Sequence, residues 1–318
     1  MTSYKARVGL TNRGNRREKT LHALELVRDD IEPKLREQVM LKPNFLSSHN
    51  QLASSHVDAI RGVIDFLLTT TQPLEEIIIA EGGNEKYSGE AFETFDYHAL
   101  PEEYDIPIRL IDLNQEQNWE TTPIVLADGS EYEVYMPKTV LDCPCTISVA
   151  VAKTHDVCVT TLGLKNMIMG TVRRQDRVRM HGFHSHTERK LPDESKVLSV
   201  NLMRLAKYLG PNITVIDGTR GLQGNGPGGT DGIDFGVAAA SADVYAADSV
   251  MAKAMGFDPL KLGWLSYAHE LGYGTVDLAQ IEILGSSLEE VTRSFRPHEK
   301  THLQLQWQDA RMRHYLPV

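Results

Sequence analysis

The sequence predicts an α/β protein: a mostly parallel sheet, or sheets, flanked by helices, in Rossmann-like lobes with a small β-hairpin insertion. Two observations predict this class. Short apolar segments typical of strands alternate with longer segments whose apolar residues recur at helical spacing. One segment near the middle instead holds two alternating stretches around a polar turn. Because strand–helix alternation places helices on both faces of a parallel sheet, the order of the elements indicates the class.

The first half of the chain contains four predicted strands and two predicted helices. The helices, residues 17–31 and 57–68, have an apolar residue at every third or fourth position. Pro43 ends the second strand, and a carboxylate followed by two glycines ends the third. The four strands are predicted at residues 6–11, 39–44, 77–83 and 106–113.

The second half begins with the hairpin, predicted at residues 122–137 because an Asp-Gly pair separates two alternating stretches. A helix follows at residues 195–209, and Asp193 or Ser195 is its expected N-cap. Apolar runs predict the remaining core strands at residues 145–155, 213–218 and 281–285.

Two other segments of the second half have unusual composition. Residues 237–256 are rich in alanine and predict a helix that ends at Gly256. Residues 173–194 are rich in charge and histidine, which predicts an exposed loop.

The composition is that of a globular protein with a substantial core. The chain has 318 residues, of which 41% are hydrophobic and 24% charged. This length suits one large domain or two smaller ones. We expect one α/β unit over residues 1–318, and a division into two lobes, at about 1–120 and 121–318, stays open because no clear linker is present.

The charge and the cysteine content exclude several classes of protein. A net charge of -10 disfavours nonspecific binding to nucleic acid or to an anionic membrane. No run approaches the ~18 apolar residues of a membrane span, and the N-terminus lacks the apolar segment of a secretory signal. Three cysteines are too few for a disulfide scaffold or a cubane iron–sulfur cluster. We therefore expect a cytoplasmic protein whose anion site is a local basic patch.

Polar residues follow four of the apolar strands, where each strand ends. In open parallel sheets, ligands bind outside the carboxyl ends of the strands. One such residue is trivial, because every buried strand must reach water, but four strands with chemically useful residues predict a site. These residues are Lys42, Asn44, Glu81, Lys153, His155 and Asp217.

The segment LGLKNMIMG places Lys165 and Asn166 inside an apolar run. A buried ammonium is costly, so Lys165 either extends to water from a core helix or faces a ligand. The basic residues that follow favour a ligand. Residues 165–190 contain seven basic and two acidic residues in an otherwise acidic protein. We therefore predict that Lys165 is a ligand-facing cation and that Asn166 is a polar anchor beside it.

The arginines of this segment suit phosphate or carboxylate, because the guanidinium fork binds both through two nitrogens. The predicted ligand-binding arginines are Arg173, Arg174, Arg177 and Arg179. A solvated loop remains the alternative, and it carries more weight for Arg189 and Lys190 than for these four arginines.

Histidines and glycines extend the candidate set. His181, His184 and His186 are candidates for a divalent metal, although no established zinc motif is present, and His181 or His184 is equally a candidate acid or base. A glycine-rich loop could bring backbone amides close to a ligand, or it could be a mobile lid or plain turn. Its candidate ligand-binding glycines are Gly224, Gly226, Gly228 and Gly229.

Six segments in order resemble the family known as domain of unknown function 362, over roughly residues 39–285. They are KPN (42–44), AKTH (152–155), GLKNMIMG (163–170), IDG (216–218), GNGPGGT (224–230) and SADVYAADSVMAKAMGFDP (241–259). The resemblance points to much the same residues as the strand ends, and it adds Asp243 and Asp248. Many relatives carry a ferredoxin-like module, which this chain lacks. The layout also resembles, more loosely, the lactate-racemase family with its two α/β lobes and basic cleft.

The sequence thus predicts an enzyme that binds a phosphate- or carboxylate-bearing small molecule. Lys42, Lys153, Lys165 and the arginines would neutralise the anion, and His155 or a histidine of 181–186 would transfer a proton. Asp217 would orient the base or hold a cation. Carbanion, enolate and phosphoryl chemistry all stay open. The alternative is a non-catalytic protein that binds a ligand, a metal centre or RNA, or a redox protein partnered with a separate iron–sulfur protein. RNA is disfavoured by the acidic charge, and a homo-oligomer stays open.

Overall fold

The computed structural model describes residues 5–85 and 89–317. Its strands are β1 (Ala6–Thr11), β2 (Gln38–Lys42), β3 (Glu76–Glu81), β4 (Ile108–Asp112), β5 (Trp119–Val125), β6 (Glu131–Pro137), β7 (Thr146–His155), β8 (Val159–Thr161), β9 (Ile213–Leu222), β10 (Gly232–Ile233), β11 (Val237–Ser241) and β12 (Ile281–Gly285).

The α-helices range from single turns to the five turns of the longest. They are α1 (Arg16–Glu25), α2 (Arg28–Ile31), α3 (Val57–Leu68), α4 (Gly89–Thr94), α5 (Leu100–Glu103), α6 (Lys138–Leu141), α7 (Gly163–Thr171), α8 (Arg177–Met180), α9 (Asp193–Leu209), α10 (Val244–Ala254), α11 (Gly263–Leu271), α12 (Leu288–Val291), α13 (Thr301–Gln304) and α14 (Ala310–Arg313). Within the described ranges, no helix combines the length and the apolar character needed to cross a membrane.

One sheet organises the fold. Its strand order is β12-β1-β11-β9-β7-β2-β3-β4, with β10 beside β9 and β8 beside β7. The strands from β9 to β4 along this order are all parallel, and β11 is antiparallel to both of its neighbours. The predicted fold class, a mostly parallel sheet flanked by helices, is therefore confirmed. Strands β5 and β6 form the predicted hairpin as a separate two-stranded sheet. The Rossmann-like character of the lobes and their boundaries stay predictions.

Helices cover both faces of the sheet because successive strand residues point to opposite sides. In β2, Met40 belongs to one buried apolar cluster, while Val39 and Leu41 belong to another. The first cluster includes apolar residues of α7, α9 and α10, and the second includes those of α1 and α3. This arrangement holds α7 against the carboxyl ends of the central strands.

Three sequence predictions were wrong in detail. The helix predicted at residues 195–209 begins at Asp193, and its N-cap is Pro192 instead of Asp193 or Ser195. The first five residues of the predicted helix 237–256 form strand β11 between β1 and β9, and only the remainder is helical, in α10. Alanine favours a helix, but the open ladder positions of two strands outweigh that weak preference. The predicted helix 17–31 is divided into α1 and α2, because Val27 leaves the helical conformation with φ -122° and ψ 24°.

Candidate functional site

A polar cleft lies at the carboxyl ends of β2, β3 and β7, the central parallel strands. Its lining residues are Asn44, Phe45, Leu46, Glu81, Asn84, Lys153, His155, Asp156, Thr161, Lys165, Asn166, Met169, Gly170, Arg177, His181, His186, Arg189 and Pro227. The free volume of about 140 Å³ is roughly ten times the volume that admits one water molecule. The cleft can therefore hold a molecule of several heavy atoms.

A buried ion pair supports one wall of the cleft. Lys42 at the end of β2 pairs with Glu81 at the end of β3, and their side chains are 0% and 3% exposed. Lys42 Nζ also donates to Pro43 O at 2.6 Å and to Asn166 Oδ1 at 3.1 Å. Burial lowers the pKa of Lys42, and Glu81 opposes that shift. Lys42 is therefore fully engaged with protein atoms and does not line the cleft itself.

Asn166 and Asn44 join three elements of the sheet edge. Asn166 Oδ1 accepts from Asn44 Nδ2 at 2.9 Å, and Asn166 Nδ2 donates to Ser148 Oγ at 3.0 Å and to the Lys42 carbonyl at 3.2 Å. Asn44 Oδ1 in turn accepts from Lys153 Nζ at 2.6 Å. The structure thus places Asn166 as an anchor, with its amide saturated by protein partners.

Lys153 and Lys165 are the lysines that line the cleft in the described part of the chain. Lys153 Nζ donates to Asn44 Oδ1 and to Ala53 O at 2.7 Å, so its hydrogen-bond partners are neutral. Lys165 is only 6% exposed, and among the described residues its ammonium makes no hydrogen bond or ion pair. Burial lowers the pKa of both lysines, and the neighbouring Lys165 lowers that of Lys153 further. Of the two, Lys165 is therefore the lysine whose ammonium has no partner among the described residues.

Helix α7 holds Lys165 and Asn166 because its N-terminus is tied to α10. Asp248 Oδ1 accepts from Gly163 N at 2.7 Å, and Asp248 Oδ2 accepts from Leu164 N at 3.0 Å. A Cβ at position 163 would lie within 2.5 Å of Thr214, so glycine lets the helix approach the sheet. Asp248 is fully buried, and burial raises its pKa to about 7. It acts by capping a neighbouring turn and does not line the cleft.

His155 and His181 form a stacked pair on the cleft wall. Their ring centroids are 6.5 Å apart, with 17° between the planes. Burial lowers the pKa of both imidazoles well below the usual value, and nearby cations add to the shift. His155 Nδ1 accepts from Val157 N at 3.0 Å, which assigns the proton of the neutral ring to Nε2. Both rings are therefore neutral near pH 7.

Three charged residues behind the histidines were missed or undervalued by the sequence analysis. Asp156 Oδ1 lies 3.0 Å from His155 Nδ1, and Glu194 Oε1 lies 3.7 Å from His181 Nδ1. Arg189 contacts both carboxylates, with 3.3 Å to Asp156 and a closer contact to Glu194. Asp156 comes directly after His155, the last residue of β7, so the strand-end rule could have predicted it. No local pattern in the sequence marks Arg189 or Glu194, because it is the folded path of residues 173–194 that brings them close to the histidines.

The prediction of an exposed loop at residues 173–194 holds only in part, for residues 184–190, most of which are exposed. The segment contains α8, and Asp176, Val178, Met180 and His181 are buried, because their side chains complete the core beside α9. Arg189, which was expected in solvent, lines the cleft.

The four arginines predicted to bind the ligand have protein partners, and three of them do not line the cleft. Arg173 pairs with Asp176 and stacks on an aromatic ring 3.7 Å away. Arg174 donates to Asn84 O, and Arg179 donates to Gln175 O. Arg177 lines the cleft, and its guanidinium donates to the backbone carbonyls of Gly82, Gly83, Gly170 and Val172. Burial lowers the pKa of Arg177 to about 10.

The metal candidates are not brought together. Of the three histidines, His181 and His186 line the cleft, whereas His184 is exposed and outside it. Where the chain is described, the one group of three His, Cys, Asp or Glu donor atoms lying within 4.8 Å of one another belongs to His49, Glu85 and Glu90. Metal binding by the histidine segment stays a prediction.

Asp217 and most of the glycine loop lie outside the cleft. Strand β9 continues to Leu222, so Asp217 is inside the strand, where Arg16 Nε lies 2.8 Å from its carboxylate. Of the loop, Pro227 lines the cleft. None of the four candidate glycines lines the cleft. Gly224 O accepts from Thr154 Oγ1, and a side chain at Gly226 would collide with the Thr154 carbonyl, whereas Gly228 is exposed. The glycines that the sequence predicted to bind the ligand are Gly224, Gly226, Gly228 and Gly229.

Comparison with known proteins supports the family resemblance. The family described as domain of unknown function (DUF362) matches residues 39–253. The thylakoid-associated protein sll1697 of Synechocystis sp. (strain ATCC 27184 / PCC 6803 / Kazusa) is 26% identical over 158 residues, which is 47% of this chain and 47% of that protein. The chain therefore matches about half the length of this curated relative.

Two solved structures are similar at low identity. The lactate racemase apoprotein from Thermoanaerobacterium thermosaccharolyticum aligns with a TM-score of 0.46 and 12% identity, covering 76% of this chain and 55% of that one. A protein from Thermotoga maritima aligns with a TM-score of 0.42 and 9% identity, covering 63% and 50%. No residue role transfers from either alignment.

Proposed function

This chain belongs to the family described as domain of unknown function (DUF362), and from the chemistry of its cleft we propose that it is an enzyme that binds an anionic small molecule and moves a proton on it. The observation that carries the proposal is Lys165. Its ammonium is buried at the cleft wall and has no acceptor among the described residues. An unpaired buried charge is costly, and a bound anion would remove that cost.

Lys153 supports the same role. Two of its three N–H groups donate to neutral oxygens, which leaves one N–H and no charged hydrogen-bond partner. A carboxylate or phosphate in the cleft would be neutralised by Lys165 and Lys153 together. Cations fixed in place before the reaction would also stabilise negative charge that develops on the substrate.

The stacked histidines supply the proton transfer in this proposal. His155 carries its proton on Nε2, because Nδ1 accepts the Val157 amide, so His155 can donate a hydrogen bond to a substrate oxygen that gains negative charge. Glu194 near His181 Nδ1 favours the proton on that atom, which leaves His181 Nε2 as the base. When His181 Nε2 takes a proton from the substrate, the ring becomes an imidazolium whose Nδ1–H faces Glu194 at 3.7 Å. Neutral imidazoles near pH 7 suit both roles.

The binding test compares Lys165→Met with Lys253→Met, the same change at an exposed helical position. Thermal unfolding is followed with and without sodium acetate and sodium phosphate. Wild type and Lys253→Met are expected to be stabilised by at least one of the two anions, and Lys165→Met by neither. Without added anion, the melting temperature of Lys165→Met should hold or rise, because a buried unpaired charge is lost. An anion response that survives in Lys165→Met would overturn the proposal.

Hydrogen exchange separates an enzyme from a non-catalytic binding protein. Pyruvate and dihydroxyacetone phosphate each carry an anionic group and an exchangeable carbon-bound hydrogen. In deuterium oxide, wild type is expected to speed deuterium incorporation into one of them, as followed by NMR. His155→Asn and His181→Asn should bind the same molecule but exchange it more slowly, by roughly 10²–10⁴-fold. Binding without exchange in wild type would favour the non-catalytic alternative.

A further inference from the structure

We infer that the anionic group bound in this cleft is a carboxylate and not a phosphate. This inference rests on the proposed function and concerns the same site. Phosphate sites in proteins draw on amides at a helix N-terminus, amides of a glycine-rich loop, and the two-nitrogen face of arginine. Donors of all three kinds occur near the cleft, but most are bound to protein atoms and the glycine amides lie outside its lining.

The helix N-terminus beside the cleft is occupied. Helix α7 begins at Gly163 and carries Lys165 on its first turn. Its first two amides, those of Gly163 and Leu164, donate to the two oxygens of Asp248 at 2.7 and 3.0 Å. A protein carboxylate thus takes the position that a phosphate would take at a free helix end.

The glycine-rich loop offers little to a phosphate at the cleft. Gly224 N donates to Arg296 O at 2.7 Å, and Gly226 N donates to Gly224 O at 2.9 Å. The loop residue that lines the cleft is Pro227, which has no amide hydrogen. The loop therefore closes the cleft with an apolar ring.

Neither arginine of the cleft presents a free two-nitrogen face. Arg177 uses Nε and both terminal nitrogens on backbone carbonyls. Arg189 uses Nε on Glu194 and a terminal nitrogen on Asp156. Both guanidinium groups hold the walls together, so they do not form the fork that commonly grips phosphate.

The donors that remain suit a small monoanion. Within the described residues they include the ammonium of Lys165, the third N–H of Lys153 and the hydroxyl of Thr161, which is buried without a hydrogen-bond partner. Together they can fill the roughly four lone-pair sites of a carboxylate, whereas the three oxygens of a phosphate present more acceptor sites than these donors.

The test uses propionate and ethylphosphonate, which share an ethyl group and differ in the anionic group. Their dissociation constants for wild type, Lys165→Met and Lys253→Met are measured by NMR titration at neutral pH. We expect wild type and Lys253→Met to bind propionate at least about tenfold more tightly than ethylphosphonate. Lys165→Met should lose propionate binding by a similar or larger factor.

The outcomes separate this inference from the proposed function. Equal or tighter binding of ethylphosphonate, lost in Lys165→Met, would overturn the carboxylate assignment and leave the anion cleft standing. Failure of both probes to bind wild type would overturn both. Propionate binding that Lys165→Met retains would also overturn both, because the anion would then be held elsewhere.

Discussion

Asn166 on α7 accepts a hydrogen bond from the buried ammonium of Lys42 on β2, across 3.1 Å. Asn166 also contacts Asn44, Ser148 and the Lys42 carbonyl, so every polar atom of its side chain is used. Its neighbour Lys165 has no such partner among the described residues. Two adjacent polar residues of one apolar segment therefore have different roles: one fixes the helix, and the other faces the cleft.

Replacing Asn166 by alanine should destabilise the protein. The change leaves the donors of Lys42 and Asn44 without their acceptor, and it removes two donated hydrogen bonds. We expect a loss of about 2–4 kcal/mol in the free energy of unfolding, measured with urea. Asn118→Ala, at an exposed asparagine, is the control and should change stability by less than about 0.5 kcal/mol. Equal effects of the two changes would contradict the anchoring role.

The Lys42–Glu81 pair should show strong coupling. Lys42→Met or Glu81→Gln alone leaves a buried charge without its partner, and each should cost about 3–5 kcal/mol of unfolding free energy. The double variant should cost clearly less than the sum, because neither charge then remains. The exposed pair Lys138–Glu120 is the control, and its coupling should be below about 1 kcal/mol. If the effects of the two changes at the buried pair were additive, Lys42 and Glu81 would not be energetically coupled.

Gly170→Ala should destabilise, although alanine is the better helix residue. A Cβ at position 170 would lie 2.5 Å from Lys42 Cε and 2.8 Å from Glu81 Oε2, inside the buried ion pair. We expect thermal and urea unfolding to report a loss of about 1–3 kcal/mol. Gly228→Ala is the control, because its Cβ would meet a single atom, of Leu46, at 3.8 Å. A gain in stability for Gly170→Ala would mean that α7 leaves room for a methyl group beside Lys42 and Glu81.

Asp248 should make stability depend on pH. Burial raises its folded pKa from 3.8 to about 7, so the unfolded chain releases the proton first. The contribution of Asp248 to stability is therefore largest below about pH 4 and falls as pH rises towards 7. Asp248→Asn should gain stability relative to wild type over this interval, by up to about 4 kcal/mol.

Urea unfolding at a series of pH values measures this difference. Asp142→Asn, at a largely exposed aspartate, serves as the reference and should track wild type. A constant difference between Asp248→Asn and wild type from pH 4 to 7 would show that Asp248 keeps an ordinary pKa.

Much of the candidate site follows from strand ends, which are local features. Lys153, His155 and Glu81 each follow an apolar run, and parallel strands bring such ends to one edge. Asp217 fails this rule because β9 runs on to Leu222, four residues beyond the predicted end. The prediction for the arginines was wrong for most of them, because a cluster of charges along the sequence does not specify where each side chain points. Arg173, for example, pairs with Asp176 and does not line the cleft.

The sequence by itself determined the fold class and the main strands, because the spacing of apolar residues is a local property of the chain. It also singled out Lys165 as a charge that needs a partner. The tertiary structure alone decided which partners exist. An alanine-rich segment became strand β11 because it lies between β1 and β9 in the sheet. Folding also brought Glu194 and Arg189 close to the histidines. It placed Asp248 where its carboxylate accepts the first amide of α7. These contacts join residues far apart in the chain, so packing and complementary charge select them, and no local pattern records them.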